Sequence, residues 1–141
     1  MSIDRFRSVV PVLSFAFLPL VGCGEITKVQ ECNKVIEAVN ASNVGEVKGD
    51  DKKAWEEEST RALDLEKKLG EIKLSDEGLK KHTEEYREML KNYSDLAKKT
   101  GSAGEGDMNA VLEITKKAND IISKSNELTA KINTYCTGSA Q

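Results

Sequence analysis

From residue 27 onward, apolar side chains recur every three or four positions, and Lys, Glu, Asn and Asp fill most of the places between them. That spacing belongs to helices that turn one face to a core; a strand would alternate with a period of two. Glycines divide the run at Gly45 and Gly49, at Gly70 and Gly78, and at Gly101, Gly104 and Gly106, which predicts four helices. The first starts at Thr27, where Thr27 and Gln30 form a capping box, and its seam is Val29, Cys32, Ile36 and Val39 with Val35 beside them. It fades over Asn40–Asn43 into an Asn43-Val44-Gly45 turn. The second starts at Asp50 or Asp51, with Trp55, Ala62, Leu65, Leu69 and Ile72 on its seam. Glu56, Glu57 and Glu58 sit at the positive end of its dipole, and Gly70 reads as a break.

The third helix takes Ser75 as N-cap, Asp76 and Glu77 in its first turn, and Leu74 and Leu79 as a hydrophobic staple. Its seam is Leu79, His82, Tyr86, Met89, Tyr93 and Leu96, and Lys98, Lys99 and Gly101 close it. Thr100–Gly106 reads as a flexible linker. The fourth helix runs from Asp107 through Val111, Ile114, Ala118, Ile121, Ser125, Leu128, Ile132 and Tyr135, and ends near Cys136 with Gly138 beyond. Loops of about 5–8 residues place consecutive helices antiparallel. The expected fold is therefore all-α, an antiparallel up-down-up-down four-helix bundle over residues 27–136 with a tail at 137–141.

The first 22 residues do not fit this pattern. Arg5 and Arg7 precede an uncharged apolar run from Ser8 to Val21, which has the layout of a secretory leader and is short for a membrane span. The run ends in Leu20-Val21-Gly22-Cys23. This tetrapeptide resembles the lipobox of bacterial lipoproteins. The resemblance implies that residues 1–22 are a signal peptide cleaved before Cys23, that the Cys23 thiol carries diacylglycerol, and that 23–26 form a short lipid tether. Each buried methylene contributes about 0.8 kcal/mol, so two or three acyl chains hold a protein on a bilayer where one holds it only marginally. Gly24 stands where Asp would retain an enterobacterial lipoprotein in the inner membrane, so the resemblance favours the outer membrane, facing the periplasm. The body, through "ECNKVIEAVN", "YREMLKNYSDLAKK" and "INTYC", resembles small helical lipoproteins of myxobacterial genomes, a likeness that carries no activity with it.

With Cys23 lipidated, Cys32 and Cys136 remain, and an even remainder in an exported chain favours one disulfide. It would join the two ends of the bundle, which the up-down-up-down topology brings together. The enclosed loop of about 100 residues corresponds to at most roughly 4–5 kcal/mol in the chain-entropy account. Aromatics are 5% of the chain, so the core is thin and such a staple is physically sensible.

Chemistry is sparse. The net charge of −3 gives no basic field for nucleic acid. The single histidine, His82, has Glu85 one turn on, but a carboxylate-bridged metal site needs a Glu-x-x-His from each of two helices. His82 reads instead as a core-edge residue donating to a neighbour. There is no C-x-x-C-H for haem, no G-x-S-x-G and no phosphate loop, so neither cofactor nor metal nor catalytic residues are expected, and the chain is not expected to be an enzyme. Trp55 either closes the end of the bundle or serves as a binding anchor. The expected function is a membrane-anchored, non-catalytic interaction module with a protein partner in the envelope. The alternatives are a bundle holding an apolar ligand or haem, and an inhibitor or immunity protein for an envelope hydrolase.

Overall fold

The structure, a computed structural model, describes residues 23–49, 51–103 and 108–138. The leader and its lipobox up to Gly22, the Cys23 side chain, and the proposed helix starts at Asp50 and Asp107 lie outside the described residues, as does the end of the tail. Four helices follow in order: α1 Cys23–Asn40, α2 Lys52–Glu71, α3 Glu77–Ser102 and α4 Met108–Thr137. The described residues contain no strand, and the helices pack as a bundle.

Several boundaries differ from those expected. α1 begins at Cys23, so residues 23–26 continue the helix where a tether was expected, and Thr27 lies within the helix and not at its start. Asp51 caps α2, its carboxylate accepting from the Ala54 N–H at 2.7 Å. α3 is capped by Asp76 and not by Ser75: Asp76 accepts from the Leu79 N–H at 2.8 Å, because Ser75 is engaged by a carboxylate on α1. The staple of Leu74 and Leu79 loses its register with that one-residue shift, although both side chains still join the core. Gly101 does not stop α3, which runs to Ser102. Gly138, with φ of +64°, follows the end of α4 as expected.

The core is a cluster of Cys32, Val35, Ala62, Leu65, Leu69, Leu79, Tyr86, Met89, Leu90, Leu128 and Ile132. α3 lies along both α2 and α4, and these are the two broad interfaces; α1 touches α2 and α4 only lightly. The residue pairs across them are Trp55 with Gly101, Ser59 with Ser94 and Glu66 with Arg87 between α2 and α3. Between α3 and α4 they are Asp76 with Tyr135 and Glu85 with Lys131. The α1 seam is rotated from the expected one. Val29 is exposed, while Glu31, Cys32, Val35 and Ile36 are buried.

Two glycines expected as punctuation are contact points instead. Gly70 stays helical, and a Cβ there would stand 2.7 Å from the Arg87 Nη2 that crosses α2 to reach Glu66. A Cβ on Gly78 would stand 2.7 Å from Cε2 of Tyr135 and closer still to its hydroxyl. The guanidinium ends a flexible side chain and can swing toward Glu84, giving up its bonds to Glu66; the tyrosine ring is rigid and is held by Asp76. Gly78→Ala is therefore expected to lower the thermal midpoint, since overpacking costs about 1–3 kcal/mol against a helix-propensity gain of at most about 1 kcal/mol. Gly70→Ala is expected to lower it less, the lost bonds to Glu66 being offset by the same gain. Circular dichroism melts of the two variants check this contrast.

Candidate functional site

Chemically active side chains gather at one end of the bundle, where α1, the α2–α3 turn and the end of α4 meet. Cys32 and Cys136 are joined there in a disulfide, with Cα atoms 5.7 Å apart. The preceding residue, Glu31, is 5% exposed, and its carboxylate accepts three hydrogen bonds from the turn. These come from the Ser75 N–H at 2.9 Å, the Ser75 hydroxyl, and the Asp76 N–H at 3.1 Å. Tyr135 donates to Asp76 at 2.6 Å, the Lys28 ammonium sits 3.9 Å above the Tyr135 ring centre, and His82 meets the same ring edge-on at 5.4 Å.

These bonds fix the charge states. The Ser75 hydroxyl, followed by the two backbone N–H groups, holds the Glu31 carboxyl below its ordinary value despite burial. The Tyr135 hydroxyl and the Leu79 N–H do the same for Asp76. That bond to Asp76, with burial, pushes the Tyr135 phenol up.

A second buried carboxylate lies on α2. Glu58 is fully buried and accepts from the Gly45 N–H of the α1–α2 loop, from Arg61 and from the Tyr93 hydroxyl at 2.7 Å. Burial first, and then the Glu58 charge, push the Tyr93 phenol far above its ordinary value. Beside it the Ser59 and Ser94 hydroxyls share a bond of 2.7 Å across the α2–α3 interface. The sequence places Glu58 among the acids at the positive end of the α2 dipole, yet it also occupies the gap between Trp55 and Ala62 on the α2 seam. That spacing was the available signal. Glu31, one position from Cys32, carried the same signal on α1.

His82 does not behave as expected. Its Nδ1 is buried with no hydrogen-bond partner, and so is Oε2 of Glu85 one turn on, which has the Lys131 ammonium 3.8 Å away. Among the described residues no three side chains of metal-binding type come together. Trp55 is half-buried, and its Cβ lies beside Gly101, at the opposite end of α3 from the disulfide.

That opposite end carries a different surface. Of the whole α4 seam only Leu128 and Ile132 are buried. In the first half of the helix Met108, Val111, Leu112 and Ile122 are exposed, between 45% and 72%. Met108 and Leu112 lie on the side of α4 turned away from buried Leu128 and Ile132, at about 100° of turn per residue, and α1 meets α4 only lightly, with the disulfide near the far end of the helix. Two shallow open grooves also occur, one along α1 and α2 floored by Ala38 and Ile72, and one between α3 and α4 floored by Met89 and Ile121.

Comparison of the chain with models of known protein families, with curated proteins and with solved structures gives no match.

Glu31 and Asp76 both have folded-state values below their ordinary 4.5 and 3.8. Their contribution to stability is complete above those ordinary values and is lost as pH falls through the lowered ones. The unfolding midpoint in urea is expected to drop as pH is lowered below about 4.5. Glu31→Gln is expected to unfold more easily at neutral pH and to show a shallower acid dependence. Urea titrations from neutral pH into the acid range measure both.

Proposed function

We propose that the chain is a bacterial lipoprotein, held by lipid on Cys23 to the envelope face of the outer membrane, and that it works as a non-catalytic helical interaction module. The observation that carries the interaction reading is the stripe of Met108, Val111, Leu112 and Ile122, exposed on the first half of α4. Exposed apolar side chains grouped on one helix mark a place where another molecule binds, and Met108, Val111 and Leu112 fall within about one turn, with Ile122 about 15 Å further along. Here the rim is Glu113, Lys116, Lys117 and Asp120.

The up-down-up-down topology belongs to the same proposal. The pairs Trp55–Gly101, Ser59–Ser94 and Glu66–Arg87 run in opposite directions along α2 and α3, and Asp76–Tyr135 and Glu85–Lys131 do so along α3 and α4. In that arrangement the lipid-bearing helix and the apolar stripe lie toward opposite ends of the molecule. Met108 and Cys136 are separated along α4 by about 40 Å, at 1.5 Å per residue. The stripe then faces away from the anchoring membrane, toward a protein partner of the envelope. Among the described residues no helix is long and apolar enough to cross a membrane. The lipid itself rests on the Leu20-Val21-Gly22-Cys23 tetrapeptide and the leader before it.

Two measurements test the two halves. Mass spectrometry of protein extracted from the envelope is expected to find residues 1–22 removed and Cys23 diacylated; a bare thiol there overturns the anchor. A photo-crosslinking residue at position 112 is expected to yield one discrete adduct in envelope membranes, lost when Val111 and Ile122 are changed to Glu. The same probe at exposed Glu57 is expected to yield none. Equal labelling from both positions, or none from 112, overturns the interaction reading.

A further inference from the structure

We infer that α1 and the loop after it form a latch arm on a self-sufficient α2–α3–α4 body, and that reduction of the Cys32–Cys136 disulfide releases this arm without unfolding the body. The reasoning starts from how unevenly the helices are held. α3 meets α2 and α4 along most of its length, and those interfaces carry their own polar fasteners in Ser59–Ser94, Glu58–Tyr93, Arg87–Glu66 and Asp76–Tyr135. None of these involves α1.

α1 meets α2 and α4 only lightly and buries Glu31, Cys32, Val35 and Ile36. Its fasteners are the disulfide, the Glu31 bonds to the α2–α3 turn, and Lys28 over Tyr135, all at one end. The loop adds two bonds to α2, from the Gly45 N–H to Glu58 and from Arg61 to the Glu46 carbonyl. With the disulfide closed, α1 is tied at its carboxyl end by the loop to α2 and at its middle, through Cys32, by sulfur to α4. With it open, α1 becomes a tethered ligand on a short linker, held by a small apolar patch and one carboxylate.

The chemistry is thiol–disulfide exchange with a dithiol donor. Cys32 is 2% exposed and Cys136 is half-buried, so the Cys136 sulfur is the one a thiolate can reach. Attack there forms a mixed disulfide and releases Cys32 as a thiol. The donor's second thiol then displaces Cys136. Two electrons and two protons pass from the dithiol to the cysteine pair, and the donor leaves as its disulfide. Departure of α1 takes Val35 out of the core cluster and uncovers its neighbours there, among them Leu65, Leu69 and Ile132. The reduced protein therefore presents a second apolar surface, at the end opposite the α4 stripe. The latch requires neither the lipid on Cys23 nor a partner at that stripe.

Hydrogen exchange read by mass spectrometry on the full chain, before and after dithiothreitol, tests it. After reduction, amides of residues 27–47 are expected to exchange at least about tenfold faster than the slowest amides of α2, α3 and α4, which stay protected even though loss of the cross-link lowers the stability of the whole. Cys136→Ser is expected to reproduce the reduced pattern with no reductant. Glu31→Gln is expected to quicken α1 exchange further in the reduced chain. Unchanged protection of α1 on reduction overturns the latch, and so does simultaneous loss of protection in all four helices.

Discussion

The fold depends on α3 being buried on two faces at once. A helix that packs along two neighbours must offer two apolar stripes, and α3 does so with Leu79, Tyr86, Met89, Leu90, Leu96 and Ala97. Thr83 and Ser94 are buried among them and are satisfied locally, Thr83 by the Leu79 carbonyl and Ser94 by Ser59. An unpartnered hydroxyl in those places would cost about 1–3 kcal/mol each. Since α3 fills the middle, α2 and α4 can each keep an outer face rich in charge, and α1 is left with the end of the bundle.

Two buried carboxylates then shape the loops. Glu31 draws in the α2–α3 turn and Glu58 draws in the α1–α2 loop, each through backbone N–H groups that would otherwise need water. A buried carboxylate without such donors would be strongly unfavourable, so the loop conformation and the charge depend on each other. Taking the Ser75 N–H and hydroxyl leaves Asp76 to cap α3, and Tyr135 completes Asp76 from α4. One glutamate on α1 thus orders residues on three other segments.

Much of this was legible in the sequence, and the failures have a common form. The four helices, the cores of α2 and α3, and the pairing of Cys32 with Cys136 follow from spacing and cysteine count, and the structure has the same helices and that disulfide. Tertiary contacts decided what spacing alone could not. Ser75 is a sound N-cap by its chemistry and was displaced by a partner 44 positions away in sequence. Gly70, Gly78 and Gly101 look like helix breakers, yet each sits inside a helix where another chain segment comes close. Glu31 and Glu58 lie on seam positions, but a carboxylate there reads as exposed unless its donors are known. The stripe on α4 was not legible in the sequence, because Val111 keeps the seam spacing and yet is exposed, and spacing alone does not show which part of a seam a neighbour covers.

The 104-residue separation of Cys32 and Cys136 has a consequence for biogenesis. Synthesis runs from the amino end, so Cys32 is made 104 residues before the cysteine it joins. Local helix pairing between α2, α3 and α4 has short loops to close and precedes the long-range step. The bridge can therefore close only once all four helices have been made. Any fragment stopped short of Cys136 leaves Cys32 without the sulfur that binds it here.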